Sequence, residues 1–187
     1  PFWRGIEPQV VLGDLARPEA LARLCDGADV VIHLAGLIKA ADRAAFDRVN
    51  VDGARAVAEA ATAAGARFVL VSSLAAREPR LSDYAASKRA GEEAVLAIAP
   101  EALVIRPPAI YGPGDRETVG LFAAAQGSRV LPVLSPASRV AMIEVRDAAA
   151  QILDLVTSGR TGLASICDAR PDGYAWSEIM TAAAAAV

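Results

Sequence analysis

RFVLVSSLAAREPRLSDYAASKRAGEEAV, residues Arg67 to Val95, is the stretch on which the fold of this 187-residue chain turns. Its β-branched, apolar opening, Phe68 to Val71, is bounded by polar residues and predicts a buried parallel strand. The strand ends on Ser72 and Ser73, and a short loop carrying Pro79 follows. Ser82 or Asp83 can then cap a helix whose first turn holds Tyr84, with Lys88 four residues on. That spacing sets the phenol and the ammonium on one helical face, one turn apart. A cation so placed favours phenolate over phenol and brings Tyr84 toward proton exchange, while a serine hydroxyl at the adjoining strand end can bond the same substrate oxygen. The combination points to proton transfer to or from an alcohol or carbonyl.

Lys follows a given Tyr at the fourth position by chance in about one case in twenty. The weight therefore rests on the whole series of strand, Ser-Ser, loop, capped helix and Tyr-Ala-Ala-Ser-Lys. That series resembles the short-chain dehydrogenase/reductase superfamily, and IRPPAIYGPGD at Ile105–Asp115 resembles its extended branch, the NAD(P)-dependent epimerase/dehydratase proteins. The resemblance implies a Rossmann-type α/β fold, a doubly wound parallel sheet. Residues 1–110 would be part of the dinucleotide-binding domain with its catalytic helix. Residues 111–187 would form a small, loop-rich substrate region and return a strand and helices to the sheet.

Composition agrees with that class. The chain is long enough for a sizeable core, and a hydrophobic fraction of 54%, rich in alanine, suits helices packed closely on a sheet. A net charge of −3 without a basic run argues against nucleic acid as a partner. Cys25 and Cys167 stand far apart and are read as buried free thiols in a reducing cytoplasm. No apolar run approaches the ~20 residues of a membrane span. No metal is expected.

Along the chain, Gln9–Gly13 reads as a short strand, Pro18–Cys25 as a helix with proline at its first position, and Ala28–Leu34 as a second buried strand. A long helix is expected from Asp42 to Ala64 with Gly65 as C-cap, and a strand at Ala102–Arg106 broken by Pro107 and Pro108. Tyr111–Val145 is rich in Gly and Pro and reads as a loop-rich layer. A helix follows at Asp147–Thr157 with Asp147 as N-cap, then a strand at Gly162–Cys167 and a terminal helix capped by Ser177 and ending in Ala182–Ala186. The strand–helix alternation itself argues for a parallel sheet covered on both faces.

Ligands of open α/β sheets lie beyond the carboxyl ends of the strands, so the small and polar residues there are the candidates. By resemblance, Asp14, followed by Leu15, would bind the adenine amino group; otherwise Asp14 caps the Pro18 helix. Leu34, Ala35 and Gly36 would form a turn whose small residues admit the cofactor. His33, the one histidine, reads as a satisfied structural residue. Asn50 would help organise the site or serve as a polar anchor inside its helix. The resemblance favours Ser73 as the catalytic hydroxyl, with Ser72 beside the cofactor. Tyr84 would be the proton carrier, and Lys88 would both tune it and bind the nicotinamide ribose. Arg106, Pro107 and Ile110 would pass beside the nicotinamide.

Two departures bear on cofactor and substrate. The family's glycine-rich phosphate turn, and the residue that selects NAD or NADP, belong to a βαβ unit expected before Gln9, where only PFWRGIEP stands. By the family strand order 3-2-1-4-5-6-7, Gln9–Gly13 matches strand three and Ala28–Leu34 strand four, so the two are expected apart, roughly three spacings of ~4.8 Å; the alternative is that a right-handed crossover through Pro18–Cys25 lays Gln9–Gly13 directly against Ala28–Leu34. Second, Ala109 stands where nucleotide-sugar enzymes carry Asn, and Leu74 and Ala75 stand where the 4,6-dehydratases carry acids. Both favour an oxidoreductase acting on a small or apolar alcohol or carbonyl, using Ser73, Tyr84 and Lys88. The alternatives are a nucleotide-sugar epimerase with the same triad and a non-catalytic NAD(P)-binding sensor or scaffold. Relatives also imply a homodimer, formed through helices 42–64 and 84–98.

Overall fold

The computed structural model describes residues 5–115, 117 and 138–185. The expected loop-rich layer falls largely on 118–137, outside the described residues. The chain divides into two compact units, Pro1–Val104 with Thr161–Leu163, and Ile105–Arg160 with Ala164–Val187.

β1 (Val30–His33), β2 (Arg67–Val71), β3 (Leu103–Arg106) and β7 (Gly162–Ser165) form a sheet in that order, with β1 parallel to β2 and Val30 opposite Arg67. β2 and β3 are buried almost throughout, which is why RFVLV and LVIR read as continuous apolar runs rather than alternating ones. Helices α1 (Pro18–Cys25), α3 (Ala54–Ala63) and α4 (Asp83–Ile98) close the core of the first unit. Leu21, Cys25, Val57, Ala58, Ala61, Phe68, Leu70 and Val95 meet there. Alanine at 54, 58 and 61 lets α3 lie close to the strands, so small side chains and not large ones set the spacing of this core.

Local rules account for most element ends. Pro18 opens α1, Ser82 Oγ accepts from the Ala85 N–H at 3.1 Å to cap α4, and Gly65 takes φ +73° beyond α3. Asp42 caps α2 (Arg43–Asp47) by accepting from the Ala45 N–H at 2.8 Å. The long helix expected from Asp42 to Ala64 is continuous but not uniform: Arg48–Gly53 is wound as a π-helix between α2 and α3. Both parts of this helix pack on α4.

Several expectations are corrected. Gln9–Gly13 is irregular and belongs to no sheet; Val10 and Leu12 are 73% and 84% exposed. A strand exists through its ladder, and the only ladder described for β1 is with β2, so none joins residues 10–12 to residues 30–32. The last strand is shorter than read, ending at Ser165.

In the second unit, β4 (Ala109–Tyr111) pairs in parallel with β6 (Met142–Glu144), and β5 (Arg139–Val140) is antiparallel to β8 (Tyr174–Ala175). Helix α5 runs from Val145 to Thr157, two residues earlier than expected, because Glu144 and not Asp147 is its cap, accepting from the Arg146 N–H at 2.7 Å. Ser177 likewise lies inside α6 (Trp176–Ala185); there the Glu178 carboxylate turns back to the Ala175 N–H at 2.7 Å, one half of a capping box. Cys25 is fully buried and Cys167 only partly, and both are free thiols. No described helix is long and apolar enough to cross a membrane.

Candidate active site

The site is built where α4, the π-helical segment and the carboxyl ends of β1 and β2 meet. Tyr84 lies in the first turn of α4, half-buried, with its ring 6.0 Å from that of Phe46 on α2. Lys88 is 9% exposed, and its Nζ donates to the Val71 carbonyl at 3.2 Å, on the last residue of β2. Burial holds the Lys88 ammonium below its ordinary range, and the charge of Glu92 opposes that shift.

The two serines after β2 part company. Ser72 is buried and donates to Glu92 Oε1 at 2.5 Å. Ser73 is half-buried, and its Oγ accepts from the Ala75 N–H at 3.2 Å, capping a short 3₁₀ turn at Leu74–Arg77. That bond uses an acceptor position and leaves the hydroxyl hydrogen of Ser73 to donate elsewhere.

Asn50 is an anchor. Its Oδ1 accepts from the Leu37 N–H at 2.8 Å, and its Nδ2 donates to the Leu37 carbonyl at 3.0 Å and to Ser87 Oγ at 2.9 Å. Ser87 Oγ in turn donates to the Tyr84 carbonyl at 2.8 Å. One buried amide thus ties the loop after β1 to α4. Gly36 sits in that loop, where a Cβ would lie 3.1 Å from Asn50 Oδ1 and 3.6 Å from Lys88 Nζ. Bare backbone beside a buried ammonium is a place that would hold the ribose of a nicotinamide cofactor.

Other predicted residues take quieter places. Asp14 folds back on its own turn, accepting from the Ala16 N–H at 2.8 Å and pairing with Arg17 at 3.3 Å. It does not cap the Pro18 helix, whose N-cap is Arg17. Leu15 packs on the core, and Leu34 is 68% exposed. Arg106, Pro107 and Ile110 lie in the second unit, the first two buried. Among the described residues, no three His, Cys, Asp or Glu gather as a metal site. Nothing in the sequence marks Glu92 as more than a helix-surface charge, although it continues the four-residue step from Tyr84 through Lys88.

His33 is the correction within this group. It is buried, stacked on Phe68 at 6.2 Å, yet its Nε2 has no hydrogen-bond partner. Desolvation first, and the Lys88 charge second, lower its pKa from 6.5 to about 4, so it is neutral at physiological pH. Between those values the unfolded chain binds a proton that the folded chain refuses, so stability is lost as pH falls from 6.5 toward 4. The full shift corresponds to about 3 kcal/mol. Urea midpoints at pH 7 and pH 4.5 should show His33→Leu losing less stability on acidification than the parent; equal losses would exclude this source.

The model of the NAD-dependent epimerase/dehydratase family matches residues 1–162, and the chain belongs to that family. Membership makes a nicotinamide dinucleotide, NAD or NADP, its cofactor class. A ceramide reductase of Caulobacter vibrioides (strain NA1000 / CB15N) is 65% identical over 184 residues, 98% of this chain and 58% of the relative. Subunit 9 of the mouse mitochondrial NADH dehydrogenase [ubiquinone] 1 alpha subcomplex is 36% identical over 104 residues, 55% of this chain and 28% of that one. The chain therefore spans little more than half of the first relative's length. Among solved structures, a dTDP-4-dehydrorhamnose reductase of Bacillus anthracis in complex with NADP superposes with a TM-score of 0.81 at 20% identity. That match covers 97% of this chain and 71% of the other, and it shows the Rossmann-type fold.

Proposed function

We propose that the protein is a reductase that converts the ketone of an oxidised ceramide, or a closely related long-chain amide lipid, to a secondary alcohol. The observation that carries the chemistry is Lys88, a buried ammonium one turn beyond Tyr84 and beside the bare backbone of Gly36. The substrate class rests on the 65% identity to a ceramide reductase across nearly the whole chain. Apolar Leu74 and Ala75 after Ser73, and Ala109 in place of Asn, suit a lipid better than a sugar diphosphate. Sugar-nucleotide enzymes among the solved structures share the fold at about one residue in five.

Reduced NAD(P), when bound, supplies the hydride to the carbonyl carbon. The Ser73 hydroxyl donates to the carbonyl oxygen and holds it. Tyr84 gives its phenolic proton to the same oxygen as negative charge develops there. Lys88 would hold the ribose hydroxyls of the bound cofactor and would stabilise the phenolate that Tyr84 becomes. Gly36 and Asn50 keep the wall of the site close to Lys88.

The test uses the full-length protein with NADH or NADPH and three substrates: a keto-ceramide in mixed micelles, a dTDP-4-keto sugar, and a UDP-sugar for epimerisation. Cofactor oxidation dependent on the keto-ceramide is expected. Turnover confined to the sugar nucleotides would overturn the substrate, and cofactor binding without any turnover would favour the scaffold reading.

A further inference from the structure

We propose that Glu92 is a positioning residue of this site: through Ser72 it fixes the end of β2 that carries Ser73, and it is the buried countercharge of Lys88. The inference rests on the reductase reading above and extends it to a residue outside the triad.

Glu92 lies on α4 one turn beyond Lys88 and is only 3% exposed. A carboxylate so deeply placed needs compensation, and Ser72 Oγ, itself buried, donates to it at 2.5 Å. Ser72 is flanked by Val71, whose carbonyl accepts a hydrogen bond from Lys88, and by Ser73. Two successive turns of α4 therefore grip the same strand end, Lys88 at one residue and Glu92 at the next. Loss of the second grip frees the Ser73 hydroxyl to drift from the phenol it must work with. An error on the order of 1 Å in such a placement is enough to slow a reaction about a hundredfold.

The charge of Glu92 matters separately. Glu92 on the same helix acts on the charge of Lys88, that charge acts on His33 of β1, and Tyr84 stands one turn before Lys88 on α4. His33 is neutral at working pH, so it contributes no charge, and desolvation alone pulls Lys88 toward the free amine. Glu92 is the anion that opposes this. Lys88 as a free amine would neither steady a phenolate nor hold the ribose as strongly.

Glu92→Gln separates the two roles, because the amide oxygen still accepts from Ser72 while the charge is gone. In the full-length protein, the alkaline limb of both kcat/KM and cofactor affinity should move to lower pH by about one unit, with little change below the limb. Cofactor affinity, read by nucleotide fluorescence, requires no turnover. Ser72→Ala leaves the charge and removes the tether, so it should lower kcat about tenfold without moving the limb. Where Glu92→Gln does not yield folded protein, Glu92→Asp replaces it; the retracted carboxylate should move the limb in the same direction by about half as much. A limb that coincides with the parent's in the folded variant overturns the countercharge. Unchanged kcat in Ser72→Ala overturns the tether. Tyr84→Phe run alongside keeps the two readings apart: if it retains turnover, the triad fails, whereas an inactive Tyr84→Phe with an unmoved Glu92→Gln limb removes this proposal alone.

Discussion

Tyr84→Phe in the full-length protein should lower kcat by about 10³-fold while leaving cofactor affinity within a few-fold. The substitution removes one oxygen from a half-buried ring that packs beside Phe46, so the fold has little to lose. In the proposed mechanism, what disappears is the proton that neutralises the developing alkoxide. Ser73 and the bound cofactor remain, and hydride transfer would have to leave an unprotonated oxygen. Stopped-flow measurement of cofactor oxidation, paired with titration of cofactor fluorescence, separates the two effects. Retention of most of kcat would exclude Tyr84 as the acid. A parallel collapse of cofactor binding would show the phenol to be part of the nucleotide site instead.

Gly91→Ala should be among the most damaging small substitutions in the chain. Gly91 lies midway along α4, and a Cβ there would stand 2.2 Å from the carbonyl oxygen of Asn50 and 3.3 Å from its carbonyl carbon. The obstacle is main chain, not the tip of a flexible side chain, so α4 and the π-helical segment must separate. Overpacking of this kind costs about 3 kcal/mol, which lowers Tm by roughly 6–12 °C in a chain of this size. The displacement also pulls Asn50 from Leu37 and Ser87, so activity should fall even below the melting range. Gly65→Ala is the comparison: φ is +73°, but nothing lies within 4 Å of the new methyl, and a cost of about 1–2 kcal/mol is expected without loss of activity. Calorimetry of the two variants decides the matter; equal shifts in Tm would mean the helix approach at Gly91 is not as close as described.

Elements governed by neighbours in sequence are legible in the sequence alone. Phe68–Val71, the Ser82 cap, the proline start of α1 and the glycine end of α3 each obey a rule spanning four residues or fewer. Tyr84 and Lys88 were found the same way, through helical spacing. Features governed by neighbours in space were not. Gln9–Gly13 has strand-like composition, but a strand is made by a partner, and none of its main chain enters a ladder. Asn50 could be marked as an anchor, yet its partners Leu37 and Ser87 are 13 and 37 residues away. Glu92 resembled an ordinary charge on a helix, next to the exposed pair of Arg89 and Glu93 at 2.8 Å. Only the depth of its turn against β2 distinguishes it. At Glu144 and Asp147 two acids compete for one helix start, and spacing alone could not choose between them.

The π-helical segment at Arg48–Gly53 has a consequence for how this helix tolerates a change of length. A π turn holds one residue more than an α turn for the same advance, so it is a stored insertion. Deleting one residue from Arg48–Gly53 would let the whole helix run as regular α, with its ladder intact and no gap to close. The helix before and after the deletion would keep its phase, because the π turn absorbs the extra residue within a single turn. Residue 50, inside that turn, would shift against its surroundings, and its side chain could not face both Leu37 and Ser87. The straighter helix is locally easier to form, and it is the wrong one: the extra residue brings Asn50 out to its partners while α2 and α3 stay in step on either side.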